Sequence, residues 1–186
     1  MLILRALKLN YRTQKFAENR LPIYKEMGMA GHSGVDWAAY PGSPLYWDVD
    51  TKGIVYNLEV DDKGGIGLDI ISKDTDGQEY KHRYWHLKGY ACKVGDVVET
   101  GDLIAYADNT GYSTGSHLHR GLKPVAKDNN GRYYNIYQNN RYWGAISMDE
   151  FFINVFVLDY LDNLNGQISI LRKIVYLYQL LINKIK

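Results

Sequence analysis

The sequence predicts a mainly β chain: an antiparallel β-sheet domain followed by a carboxyl-terminal amphipathic helix. Three observations carry that reading. Between Val35 and Pro124, short β-rich runs alternate with Gly, Asp and Asn about every ten residues, as expected of a sheet built from short strands. Two of the breaks, Asp61-Asp62-Lys63-Gly64-Gly65 and Asp74-Thr75-Asp76-Gly77, have hairpin-turn chemistry, with Gly supplying positive φ. After Asn154 the apolar residues follow a 3–4 repeat. Leu161, Ile168, Val175 and Ile182 take one heptad position, and Leu164, Leu171, Tyr178 and Ile185 the other, which gives a helix one apolar stripe.

In chain order, residues 1–27 form a lead-in without a clear period, in which Leu21-Pro22-Ile23-Tyr24 reads as extended. Residues 28–146 form the β domain. It begins with a loop at 28–34, and strands are expected at 45–47, 53–60, 66–72, 80–87, 103–108 and 117–123. Asn129-Asn130-Gly131 then turns into a Tyr-rich segment ending near Trp143. Residues 147–186 form the helical segment, which opens on a capping-box pattern, Ser147-Met148-Asp149-Glu150. Its stripe suits self-association as a coiled coil, making a homo-oligomer through 155–186 the expectation. Ile174, Leu177, Leu180 and Leu181 widen the stripe. A higher oligomer, a partner helix or a membrane-surface contact stays open, the last not favoured.

Bulk properties narrow the function classes. Apolar residues make up 46% of the 186, enough for a real core, and 22 basic groups balance 21 acidic ones to a net charge of +1. Such a balance gives no electrostatic footprint for nucleic acid. The 17 tyrosines are mostly ordinary sheet residues. Cys92 is the single cysteine, so no internal disulfide forms, and a small buried apolar role is expected. Met1 to Lys8 lacks the apolar region of a signal peptide. No apolar run reaches the roughly 18 residues of a membrane span.

Chemistry concentrates on histidines. In Gly111-Tyr112-Ser113-Thr114-Gly115-Ser116-His117-Leu118-His119, the H-x-H pair lies on a predicted strand. Residues i and i+2 of a strand face the same way, so two imidazoles converge on one point. His32 and Asp36 form H-x-x-x-D between pliable glycines. Zinc takes three protein N or O ligands in a catalytic tetrahedron; three of these four side chains would bind it and one imidazole would stay free beside it. His86 is a further candidate. His82, four residues earlier, would face the same way in a strand, so parity does not separate the two.

Gly31-His32-Ser33-Gly34-Val35-Asp36-Trp37, Trp85-His86-Leu87 and the segment from Gly111 to His119 resemble, in order and spacing, the three signatures of the M23 (LytM/lysostaphin-type) zinc endopeptidases. Val94 to Ala105 resembles that family's G-D-x-V-x-x-G-x-x-I-A hairpin. The resemblance covers roughly residues 28 to 124. It implies a duplicated-hybrid-motif-like sheet, zinc held by His32, Asp36 and His119, and catalytic roles for His86 and His117. It also implies hydrolysis of peptide bonds in bacterial cell-wall peptidoglycan, in cross-link or stem peptide. The alternative is a catalytically inactive M23-fold module that binds or activates. For a substrate outside the membrane and no visible leader, the stronger expectation is a sequence that starts late or an atypical leader; the other is delivery by phage lysis, as for an endolysin, by virion carriage or by a specialised exporter. Arg120 and Gly121 follow the H-L-H where the family has an aromatic residue and then Glu. Both are expected to make the groove wall beside His119 unusual. His82 is expected to be a surface or structural histidine.

Overall fold

The computed structural model describes residues 1–4, 6–7 and 11–152. Along them run β1 (Arg12–Gln14), α1 (Ile23–Glu26), β2 (Val35–Ala38), β3 (Pro44–Tyr46), β4 (Gly53–Asp61) and β5 (Gly65–Lys73). They are followed by β6 (Glu79–Trp85), β7 (Leu87–Tyr90), β8 (Val97–Val98), β9 (Leu103–Ala107), β10 (His117–Lys127) and β11 (Tyr133–Asn135). One sheet has the order β1-β2-β10-β6-β5-β4-β8, with β11 also paired to β10; a smaller one has the order β3-β9-β7. Every pairing is antiparallel.

The two predicted hairpins form as their residues dictate. At the β4–β5 turn, Asp61 Oδ1 accepts from the Lys63 and Gly64 amides at 2.7 and 2.5 Å, and Gly65 has φ +72°. At the β5–β6 turn, Gly77 takes φ +94° and donates to the Asp74 carbonyl at 3.0 Å. The core is drawn from both sheets: Leu45, Leu87 and Ile104 from the small one, Val55, Leu68, Ile70, Leu118 and Leu122 from the large one. Burying each such side chain stabilises the fold by about 1.5–3 kcal/mol. Residues of the lead-in join this arrangement. Ile3 is fully buried and bridges Val49 and Phe152, and β1 pairs with β2. Cys92 is half-buried against the core and its thiol reaches the Ile104 carbonyl at 3.3 Å.

Two expectations need correction. Leu21 to Tyr24 is not extended throughout: Pro22 has φ −56°, ψ −29° and starts the one-turn helix α1. Proline is pre-set for a helix start because its fixed φ is helical and its missing N–H is not needed there. The strand expected at 80–87 is two strands. His86 sits at φ +64°, which breaks the pleat after Trp85 and sends the chain from the large sheet into the small one.

Residues 147–152 form a turn in which the Asp149 amide donates to Ser147 Oγ at 3.2 Å and Phe152 to the Met148 carbonyl at 3.2 Å. The heptad stripe and the predicted helix beyond lie outside the described residues.

Candidate metal centre and groove

The site grows out of β10 and its neighbours. In β10, Leu118, Arg120 and Leu122 face the core, while His117, His119, Gly121 and Lys123 face a groove of about 480 Å³. Strand β2 pairs with β10 so that Asp36 lies directly across from His119. Directly paired residues share a face, so carboxylate and imidazole meet.

His32 comes from the loop before β2 and is pinned by two backbone bonds. Its amide donates to the Glu18 carbonyl, and its carbonyl accepts from the Ala17 amide, both at 2.9 Å. A Cβ at Gly31 would stand 2.6 Å from the Ala17 carbonyl oxygen, so only glycine allows that approach. Gly34 has the same role behind His119, where a Cβ would lie 2.8 Å from Nε2 and 2.5 Å from the Arg120 carbonyl oxygen.

Three atoms then converge. His32 Nε2 lies 2.9 Å from His119 Nδ1, and Asp36 Oδ1 lies 3.0 Å from each of them. Ligands about 2.0–2.1 Å from one ion in a tetrahedron stand about 3.3 Å apart; the observed triangle is a slightly contracted face of that figure. The donor set is one carboxylate and two imidazoles. His32 Nδ1 donates to the Lys15 carbonyl at 3.1 Å, which assigns the proton there and leaves Nε2 as a lone pair.

Electrostatics agree with this chemistry. Burial pushes the Asp36 carboxyl up, but the imidazoles of His119 and His32 beside it outweigh this and hold the group well below the usual carboxylate range. Burial brings His119 down to about 4, against the pull of Asp36. Both groups are therefore in ligating form at neutral pH.

Two more imidazoles flank the triangle. His86 and His117 have ring centroids 4.6 Å apart, and His117 Nε2 is 3.6 Å from Asp36 Oδ2. His86 Nδ1 donates to the Thr110 carbonyl at 2.7 Å and His117 Nδ1 to the Gly115 carbonyl at 2.8 Å. Each carbonyl assigns the tautomer and leaves Nε2 free to accept a proton. Burial lowers the His86 pKa, opposed by the Thr110 bond.

The Peptidase family M23 model matches residues 30–137. The chain belongs to peptidase family M23. An uncharacterized metalloprotease of Buchnera aphidicola subsp. Baizongia pistaciae is 36% identical over 108 residues, 58% of this chain and 27% of that protein. The peptidoglycan DD-endopeptidase ShyB of Vibrio cholerae is 39% identical over 88 residues, 47% of this chain and 19% of that protein. The chain thus spans less than a third of these relatives. A zinc containing peptidase from Vibrio cholerae has a similar fold, with TM-score 0.54 and 26% identity, covering 72% of this chain and 39% of that one.

Within this M23 chain, the structure brings together all five residues singled out from the sequence: His32, Asp36, His86, His117 and His119. His82 is elsewhere. It is fully buried in the core, with Nε2 2.8 Å from Ser72 Oγ and Nδ1 accepting from Arg120 at 2.8 Å. Strand parity put His82 and His86 on one face, and the positive φ at His86 is what separates them.

One expectation about the groove is corrected. Arg120 does not wall it. Arg120 is 1% exposed on the core face, bonds Asp48 at 2.9 and 3.3 Å, and stacks over Tyr84 at 4.3 Å. Alternation forces this, because Leu118 and Leu122 on either side of it are core residues. Gly121 does line the groove. Sequence reading also passed over Tyr24, which α1 carries into the groove with its ring 6.0 Å from that of His32. Burial, then the nearby Asp36 charge, raise its phenol to about 12. The cue was Pro22, a helix start one residue before Ile23.

Proposed function

We propose that this chain is a zinc-dependent endopeptidase that hydrolyses peptide bonds of bacterial cell-wall peptidoglycan. The observation that carries the reading is the Asp36–His32–His119 triangle with two imidazoles beside it, each open at Nε2. Membership of peptidase family M23, the zinc containing peptidase with this fold and the peptidoglycan DD-endopeptidase among the relatives support it.

His32 Nε2, Asp36 Oδ1 and His119 Nδ1 would hold the zinc. A bound zinc would supply Lewis acidity, to polarise an amide carbonyl and to lower the pKa of a water toward about 7. The chain's own residues handle the protons. The acceptor Nε2 of His86 or His117 takes one from the attacking water. The other imidazole steadies the developing oxyanion or returns a proton to the leaving amine. Among the described residues no glutamate lines the groove, and the imidazoles of His86 and His117, open at Nε2 beside the triangle, are assigned the proton transfer. Action on this substrate would be in the cell wall, outside the cytoplasmic membrane. The 155–186 heptads would concentrate it on a repetitive polymer by self-association.

Muropeptide mass spectrometry of purified sacculi tests the reading. New peptide amino termini should appear on digestion, vanish with a zinc chelator and return on adding zinc. Sacculi left intact by the zinc-loaded chain would refute it.

A further inference from the structure

Beyond the metal triangle, the groove floor continues along β10 to a lysine. Residues 119, 121 and 123 share one face. Gly121 offers no side chain, and a Cβ there would only just touch Ser33, Arg83 and His119, at 3.5–3.8 Å. This face of the strand is therefore bare of side chains between His119 and Lys123, a lane leading to Lys123, whose Cα lies about 13 Å along the strand at about 3.4 Å per residue. Lys123 is 6% exposed, yet it lines the groove. Its ammonium has no hydrogen bond or ion pair among the described residues.

The surroundings sharpen the point. Lys81 lies directly across from Lys123, and Arg83 across from Gly121. Arg83 is already engaged by Asp69 at 2.7 and 2.8 Å and by Glu59 at 3.2 Å. Three cations thus share two carboxylates. Asp61 and Asp62 also line the groove; Asp61 Oδ1 accepts from the amides of its own turn, and its charge acts on Arg83. A buried cation that shares its counter-charges with two other cations is costly to the fold. Burial, with Arg83 and Lys81 nearby, brings the Lys123 ammonium down to about 7.

We propose that Lys123 is a specificity residue, and that its ammonium receives a carboxylate of the peptide substrate lying along the Gly121 lane. The distance places that carboxylate one to three residues from the bond cut at the metal centre. This inference rests on the peptidase reading above. A wall peptide can offer such a group from a stem glutamyl residue or from a terminal alanyl residue.

The test uses the full chain and a cross-linked wall peptide in three forms: both carboxyls free, the glutamyl carboxyl as its amide, or the terminal carboxyl as its amide. In the native chain, one of the amides should lower kcat/KM by about tenfold or more, as loss of a charged hydrogen bond does. That amide identifies the source. Lys123→Arg should keep the preference, and Lys123→Met should bring the ratio close to one. Equal preference in native and Lys123→Met chains, or none in the native chain, overturns the proposal. Calorimetric titration with the same peptides under chelation judges it without turnover. The free acid should bind Lys123→Met about tenfold more weakly than native, and equal affinity overturns the subsite. Failure of the zinc-loaded native chain to cleave any form counts against the peptidase reading alone.

Discussion

The two faces of β10 are both largely buried and do opposite things. On the core face, Arg120 is polar but fully engaged, by Asp48, by His82 and by the Tyr84 ring. His82 is engaged at both nitrogens. On the groove face, His86 and His117 are each tied at Nδ1 to a carbonyl, and Lys123 has no partner among the described residues. Both kinds of histidine are buried, His82 at 0% exposure and His119 at 9%. What separates structure from chemistry is whether the polar atoms are satisfied within the chain.

Substitutions on the two faces should break in different ways. The largest effect is expected for Asp36→Ala, which removes one corner of the triangle. Bound zinc, measured on purified protein, should be lost, and sacculus hydrolysis with it. Next is His117→Ala, which should keep its zinc yet cleave about 10²–10⁴-fold more slowly. Wild-type rates in that variant would remove His117 from the mechanism. On the core face the damage should appear as stability. Asp48→Ala strands the Arg120 guanidinium and should cost about 3–5 kcal/mol by denaturant unfolding, while adding Arg120→Met should recover most of it.

The smallest effect is a pH dependence. Burial, helped by the nearby Arg120 charge, holds His82 neutral, its folded pKa well below 6.5. The unfolded chain takes up that proton near pH 6.5. Below this pH the unfolded state binds more protons, so stability falls as pH falls, by at most about 1.4 kcal/mol per unit for this one group. In chelated protein, His82→Gln should show a shallower loss of stability between pH 6.5 and 5 than the native chain. Parallel curves would mean that His82 is not the group titrating.

Much of the site was legible because it depends on short-range parity. The H-x-H pair had to share a face, and the glycines around His32 and Asp36 allowed close approach. The same parity also assigned Arg120 to the core, since Leu118 and Leu122 bracket it, and that cue was there to be read. The face of His86 was not legible. It depends on one dihedral in the left-handed region, and His is not a residue that announces it. Strands β1 and β8, of three and two residues, are too short to display a period. They exist because β2 and β4 offer them an edge. Lys123 was invisible as a site residue because its meaning lies in what surrounds it: a glycine two positions back and a lysine across the ladder.

The joint at position 86 has a cost and a use. A left-handed backbone is about 1 kcal/mol harder for an L residue with a side chain than for glycine. Glycine here would ease the crossing between sheets and delete an imidazole from the groove. The molecule therefore keeps a small mechanical debt at the corner where its two sheets meet, and that corner carries an imidazole of the groove. Relaxing it for robustness would blunt the blade.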